Sequence, residues 1–186
     1  MVGLPVWFVL GILVKFSGKF ASHMQISESV STGDAIMYAY IGLSVGDLIS
    51  GWMSQLFRSR KKVVFAYLVF SFVLTLVYLY MRGISSSAFY FLSFALGVAT
   101  GFWALFVSIA SEQFGTNIRA TVTTTVPNFV RGAVIPITLS FNYLLDHVGI
   151  EAASWIVGGV CILLSGISTW SLRETFAKDL DYYETN

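Results

Sequence analysis

Charge is scarce in this chain. Of its 186 residues, 11% are Asp, Glu, Lys or Arg, where a soluble domain carries about 25% to cover its surface, so an ordinary water-soluble globule is excluded. Neither sign dominates. Eleven Lys and Arg stand against ten Asp and Glu, and that balance points to no nucleic-acid partner and no highly acidic substrate. Cysteine is limited to Cys161, within an apolar run; a lone thiol forms no internal disulfide and reports nothing about redox compartment, so it reads as packing. The three prolines and the 16% aromatic content argue against a disordered, collagenous or disulfide-stapled chain, because disorder requires low hydrophobicity. What is abundant is apolar surface: 56% of residues are hydrophobic and the mean hydropathy is +0.75. These values predict an integral membrane protein.

A helix crossing a bilayer needs roughly 20 mostly apolar residues. Such stretches lie at about Pro5–Met24, Ala35–Phe57, Val63–Met81, Ala88–Ala110, Ala120–Tyr143 and Ala152–Leu172. They predict an all-α polytopic protein with six transmembrane helices in one domain over residues 1–186, of which 173–186 form a cytoplasmic tail. The connectors Arg82-Gly83-Ile84-Ser85, Gly115-Thr116-Asn117 and Asp146-His147-Val148-Gly149 are short and carry turn residues, so neighbouring helices should be antiparallel. A membrane barrel would show alternating segments of about ten residues, which these long runs do not.

Loop charges set the orientation. Arg58, Arg60, Lys61, Lys62, Arg119, Arg173 and Lys178 fall on one side, Arg82 and Lys19 on the other, which places both termini in the cytoplasm of a plasma or bacterial inner membrane. The opposite side carries Glu28, Asp34, Asp146, Glu151, His23 and His147, with Tyr38, Tyr78, Tyr80, Tyr90, Tyr143 and Trp155 at helix ends. The first segment is no secretory signal, since it lacks a basic start and is interrupted by Lys15 and Lys19. Its abrupt entry at Pro5 is the expectation for a half-molecule, a split gene or a cloning boundary.

An ionised side chain at mid-bilayer costs roughly 2.5–3.5 kcal/mol on insertion scales and needs a partner or an aqueous cavity. Lys15, Asp47 and Arg131 lie near the centres of the first, second and fifth spans, whereas the third and sixth contain no charge. That pattern fits a bundle whose first, second and fifth helices line a polar cavity while the third and sixth face lipid. Gly11, Lys15, Lys19 and Ser22 form one polar stripe, and Thr121, Thr124, Asn128 and Arg131 another. Gly42, Gly46, Ser50 and Ser54, with Gly97 and Gly101 on the fourth span, read as small-residue ridges for close helix packing. Asp47 is within reach of Arg131 or Lys15. One reading is a midplane site for an anionic or polar solute, with Asp47 as a proton carrier. The other is an ion pair that fixes helix register.

Enzyme chemistry is not expected. Gly42-Leu43-Ser44-Val45-Gly46 matches the G-x-S-x-G pattern, but that motif works on a strained strand-to-helix turn and here lies in continuous helix. No phosphate-binding glycine loop and no metal-ligand spacing occurs, so no cofactor or metal is expected. The basic run Arg58–Lys62 reads as a topology signal that also meets anionic lipid headgroups.

Gly51-Trp52-Met53-Ser54-Gln55-Leu56-Phe57-Arg58-Ser59-Arg60-Lys61-Lys62 resembles the degenerate second copy of the signature loop of the major facilitator superfamily. The fuller copy reads Gly-x-x-x-Asp-Arg-x-Gly-Arg-Arg; here Gln55 stands at the aspartate, Arg58 at the second glycine and Ser59 at the next arginine. Ser111-Glu112-Gln113-Phe114-Gly115-Thr116-Asn117-Ile118-Arg119-Ala120-Thr121 looks like that family's acidic-to-Arg loop between its tenth and eleventh helices. Leu172-Arg173-Glu174-Thr175-Phe176, followed by Leu180 and an acidic tail, looks like its ending. The resemblance implies that the chain is half of a major-facilitator-type bundle, helices seven to twelve. It implies a pathway lined by the first, second, fourth and fifth helices and a cytoplasmic gate at Glu112 and Arg119, with Arg58, Arg60 and Lys61. Gln55 leaves the signature loop without its carboxylate.

The expectation is therefore a secondary active transporter, probing a small polar or anionic organic solute at Lys15, Asp47, Asn128 and Arg131 and moving it by proton-coupled alternating access. Its partners would be membrane lipid, the solute, and an amino-terminal half or a second copy of this chain. The competing expectation is a non-transporting scaffold or assembly subunit that uses the Gly42/Gly46 ridge as its interface.

Overall fold

The chain enters its first helix at a proline, which suits a helix start because the missing N–H would be unpaired there. In the computed structural model, which describes residues 1–177, α1 (Leu4–Phe8) passes into a π-helical stretch, Val9–Val14, and then α2 (Ser17–His23). The two parts are bent by 65° at Lys15–Phe16. The wide turn is visible in the Lys15 amide, which donates to the Leu10 carbonyl five residues back at 3.2 Å.

Serines start the next three helices. α3 (Thr32–Leu56), α4 (Arg60–Tyr80) and α5 (Ser86–Thr100) open on Ser31, Ser59 and Ser85, whose hydroxyls accept from the amides of Asp34, Lys62 and Ala88. Each cap satisfies a donor that a helix leaves unpaired at its start. After a break at Gly101–Phe102 come α6 (Trp103–Glu112), α7 (Thr116–Gly132) and α8 (Val134–Ser171). The α7–α8 junction falls four residues before Pro136, which has no N–H to return to the Gly132 carbonyl. Within α8, Gly149 has φ 80° and ψ 171°, a conformation that L side chains rarely adopt, and α8 kinks there into two arms. The helix thus continues through Asp146, His147 and Val148, and the kink falls on one glycine.

Among the described residues the regular structure is entirely helical. Arg60–Tyr80, Ser86–Glu112 and Thr116–Ser171 are long and apolar enough to cross a membrane, and the bent pair from Leu4 to His23 makes a fourth candidate if taken together. α3 is 25 residues long but falls outside this set, because two aspartates and a row of glycines and serines dilute its hydropathy.

The tightest packing joins α3 to α5. A Cβ at Gly42 would overlap the Phe94 carbonyl oxygen, one at Gly97 the Ala39 carbonyl oxygen, and one at Gly101 the Gly46 backbone. Only glycine lets the backbones approach that closely. The buried edge of α3 is one stripe, Ala35, Ala39, Gly42, Gly46, Ser50 and Ser54. α1 lies against α8, where Phe8 fills the space over Gly158 and the Ser165 hydroxyl donates to the Val2 carbonyl at 2.6 Å. The innermost side chains include Phe8, Phe20, Tyr78, Phe89, Phe102 and Phe141. Buried hydroxyls are spent on neighbouring backbones: Tyr78 donates to Leu13 O at 2.8 Å, Tyr67 to Gly46 O at 2.9 Å and Ser71 to Ala99 O at 2.7 Å. Such bonds satisfy polar groups where water is excluded.

Candidate functional site

Two of the three charges in the middle of the apolar segments sit at an interruption of helix, and the third reaches one through its side chain. Lys15 ends the π-helical stretch at the 65° bend. Arg131 is the penultimate residue of α7, at the junction with α8. Asp47 belongs to continuous α3, but its Oδ1 accepts from the Ala104 amide at 3.0 Å, so it caps α6 across the Gly101–Phe102 break. An interrupted helix leaves backbone donors and acceptors unpaired, and a charged side chain is one way to satisfy them.

These placements decide between the pairings open to Asp47. Among the described residues it forms no ion pair with Arg131 or Lys15; its partner is the start of α6. Arg131 instead lies over the Trp7 ring, 5.4 Å from the centroid, and Trp7 meets Trp103 edge-on at 5.6 Å. A guanidinium over an indole face is attracted by the ring quadrupole. A line of groups therefore runs from Asp47 through the α6 start and Trp103 to Trp7 and Arg131. The Trp7 indole nitrogen is buried and has no hydrogen-bond partner. Neither tryptophan stands out in the sequence, where each is one apolar residue among many. The packing of α1 against the start of α6 brings them together.

The polar stripe of α7 faces outward as a unit: Thr121, Thr124, Asn128 and Arg131 are all exposed. Asn128 donates back to the Thr124 carbonyl at 2.9 Å. Phe129, beside the stripe, is 78% exposed. The stripe expected on the first segment is only partly present. Lys15, Lys19 and Ser22 are exposed, but Gly11 is buried, and a Cβ there would lie 2.9 Å from Val134 Cγ2. The π turn and the bend rotate the two halves of that segment out of a common face. Lys15 makes no ion pair among the described residues, and Lys19 lies 5.4 Å from the Phe16 ring centroid.

One end of the bundle carries the residues expected at a gate. Arg60 forks onto Glu112, with Nε to Oε2 at 2.6 Å and Nη2 to Oε1 at 2.5 Å, and its Nη1 donates to Ser54 Oγ at 3.2 Å. The two side chains are 16% and 11% exposed, so solvent screens this pair little. Lys61 Nζ donates to the Trp170 and Leu172 carbonyls at 2.9 and 2.6 Å, closing the end of α8. Arg119 Nη2 donates to Phe114 O at 3.2 Å. Arg58 is exposed and has φ 48°.

Glu174 belongs to the same cluster and carried no expected role. It accepts from Ser59 Oγ at 2.5 Å and from the Arg60 amide at 3.0 Å, so α4 and the segment after α8 cap each other. Burial raises its pKa, but the bonds from Ser59 and from the amides of Arg60, Phe176 and Lys61 outweigh this and hold the carboxyl below its ordinary range. Gln113 Nε2 donates to the Arg173 carbonyl at 2.9 Å. Lys178, Leu180 and the rest of the acidic tail lie outside the described residues.

At the other end Glu151 Oε1 accepts from Arg82 and contacts His23 Nε2 at 2.8 Å. The bond to His23, with the Arg82 charge, keeps the Glu151 carboxyl below its usual range. Glu28 accepts from the Ser86 hydroxyl and amide, which likewise lower its pKa. Between the ends, the Ser44 hydroxyl donates to Tyr40 O at 3.0 Å in mid-helix. Among the described residues no group of three His, Cys, Asp or Glu side chains could hold a metal ion.

No family model, curated protein or solved structure matches this chain.

Proposed function

We propose that the chain crosses a membrane six times and forms the carboxy-terminal half of a secondary transporter of the major facilitator type, moving a small polar or anionic organic solute by proton-coupled alternating access. The observation that carries this reading is that Lys15 and Arg131 stand at helix interruptions in otherwise apolar segments while Asp47 caps the helix that begins after another. Transporters build midplane sites from discontinuous helices, whose loose ends and nearby charges coordinate solute and ion. With Asp47 committed to the α6 start, the exposed Lys15 and Arg131 are left as cations without an ion pair among the described residues, which favours an anion.

The missing wall of the pathway is an amino-terminal half or a second copy of this chain, laid against the exposed polar stripe of α7. In this reading the Arg60–Glu112 pair, with Arg58, Lys61 and Arg119, forms the cytoplasmic gate, and both termini are cytoplasmic. A scaffold that used the Gly42/Gly46 ridge as its interface has less support, because α5 already covers that ridge.

Flux is the test. Proteoliposomes carrying the protein with its partner half are offered a panel of radiolabelled organic anions under an inward proton gradient. Accumulation of one solute that is lost in Arg131→Met supports the reading, and wild-type uptake in that variant removes Arg131 from the pathway. Asp47→Asn keeps an acceptor for the Ala104 amide, so it should fold and exchange solute yet fail to accumulate it against a gradient. Unchanged accumulation would take proton coupling away from Asp47.

A further inference from the structure

An apolar groove of about 530 Å³ runs along the outer face of α4 and the second arm of α8, lined by Phe65, Phe72, Leu163, Gly166, Ile167 and Trp170 among others. Between Phe65 and Phe72 it extends roughly 10 Å at 1.5 Å per residue. Its floor is open at Gly166, where a Cβ would meet nothing within 4 Å. The Phe65 and Trp170 rings, 6.4 Å apart and edge-on, frame one end.

That end is basic. Lys62 and Lys61 lie three and four residues before Phe65, so they prolong the groove wall by one turn. Lys61 Nζ is bound to the Trp170 and Leu172 carbonyls, which places a positive charge at the groove mouth and leaves one of its three donors unused. The exposed Lys62 ammonium makes no hydrogen bond or ion pair with the described residues. Trp170 is 78% exposed and carries an indole N–H, the group that belongs at the headgroup level of a bilayer.

We propose that this groove binds one anionic glycerophospholipid, with an acyl chain laid along Phe65, Phe72 and Gly166 and its phosphodiester held by Lys62, the spare Lys61 donor and the Trp170 indole. The occupant follows from the charge. A purely apolar groove would take any acyl chain, whereas two ammonium groups at its cytoplasmic end select a lipid whose headgroup carries net negative charge. The site rests on the reading that the chain spans a bilayer. It is separate from the solute pathway, since it lies on α4 and α8 and touches none of Lys15, Asp47, Asn128 or Arg131.

Brominated acyl chains quench tryptophan on contact, and Trp170 stands at the mouth. The protein is reconstituted in phosphatidylcholine nanodiscs containing a minor fraction of brominated phosphatidylglycerol or, separately, brominated phosphatidylcholine. The Trp170 signal is the difference between the wild type and Trp170→Phe. Quenching by the anionic lipid should exceed that by the zwitterionic one several-fold. Lys62→Gln should lower that preference about fivefold, the surface attraction of one lysine. Gly166→Leu fills open space and should abolish the excess while leaving the helices in place. Equal quenching by the two lipids, or a preference that survives both substitutions, overturns the site and leaves the membrane reading standing. Absence of quenching of every tryptophan by either lipid overturns the membrane reading, and the site with it.

Discussion

Glu151 shows how one side chain can report on the closure of an end. It joins the start of the second α8 arm to Arg82, just past α4, and to His23, the last residue of α2. Its folded pKa lies below the ordinary 4.5, so its contribution to stability is complete above that value and is lost as pH falls through the depressed one. The group is 38% exposed, and an exposed pair of this kind is worth about 0.2–1 kcal/mol. Thermal unfolding in detergent should therefore show Glu151→Gln less stable than wild type at neutral pH, with the gap closing at acidic pH. A gap that widens on acidification would contradict the assigned contacts. Loop charge alone groups His23, Arg82 and Glu151 at one end but gives no contact among them, because Glu151 is 128 and 69 residues from its two partners along the chain and leaves no local signal.

At the scale of the element, the α3–α5 pair carries the sharpest prediction. Gly42→Ala drives a methyl into the Phe94 carbonyl and should cost about 1–3 kcal/mol of stability through overpacking. Gly51→Ala lies on the same helix with nothing within 4 Å of its Cβ and should be neutral or stabilising by up to about 1 kcal/mol, the helix propensity difference. Paired melting curves would separate the two, and equal effects would mean that α3 and α5 do not pack as described. The four-residue spacing of Gly42, Gly46, Ser50 and Ser54 made this ridge legible beforehand, since backbone approach depends on residue size and period alone. The breaks were not legible. Gly101 resembles the other glycines of apolar runs, and no proline or polar cluster marks the π turn at Val9–Val14.

For the whole molecule, the distribution of exposed side chains has two characters. The outer faces of α4 and α8 expose Val69, Phe72, Leu163 and Trp170, whereas α7 presents Thr121, Thr124, Asn128 and Arg131. In a membrane these surfaces meet different environments, lipid on one side and water or a partner on the other. Thiol labelling tests that division in vesicles. The buried Cys161 should stay silent to a hydrophilic maleimide, Asn128→Cys should react, and Val160→Cys, 51% exposed on α8, should not. Reaction at both introduced cysteines would place both faces in water and remove the membrane reading.

Composition and period by themselves determined that this chain is helical, apolar and without a soluble domain's surface, because burial of backbone polar groups in an apolar setting leaves helix as the available local solution. They also determined which charges are costly, since Lys15, Asp47 and Arg131 stand out in any apolar run. Tertiary structure alone decided what those charges do. Asp47 turned from an ion-pair candidate into the cap of α6, Arg131 settled on Trp7, and Arg60 took Glu112, because each choice depends on which distant segments the packing brings within a few ångströms. Hydrophobic period encodes which face is buried; it carries no record of which buried face stands opposite.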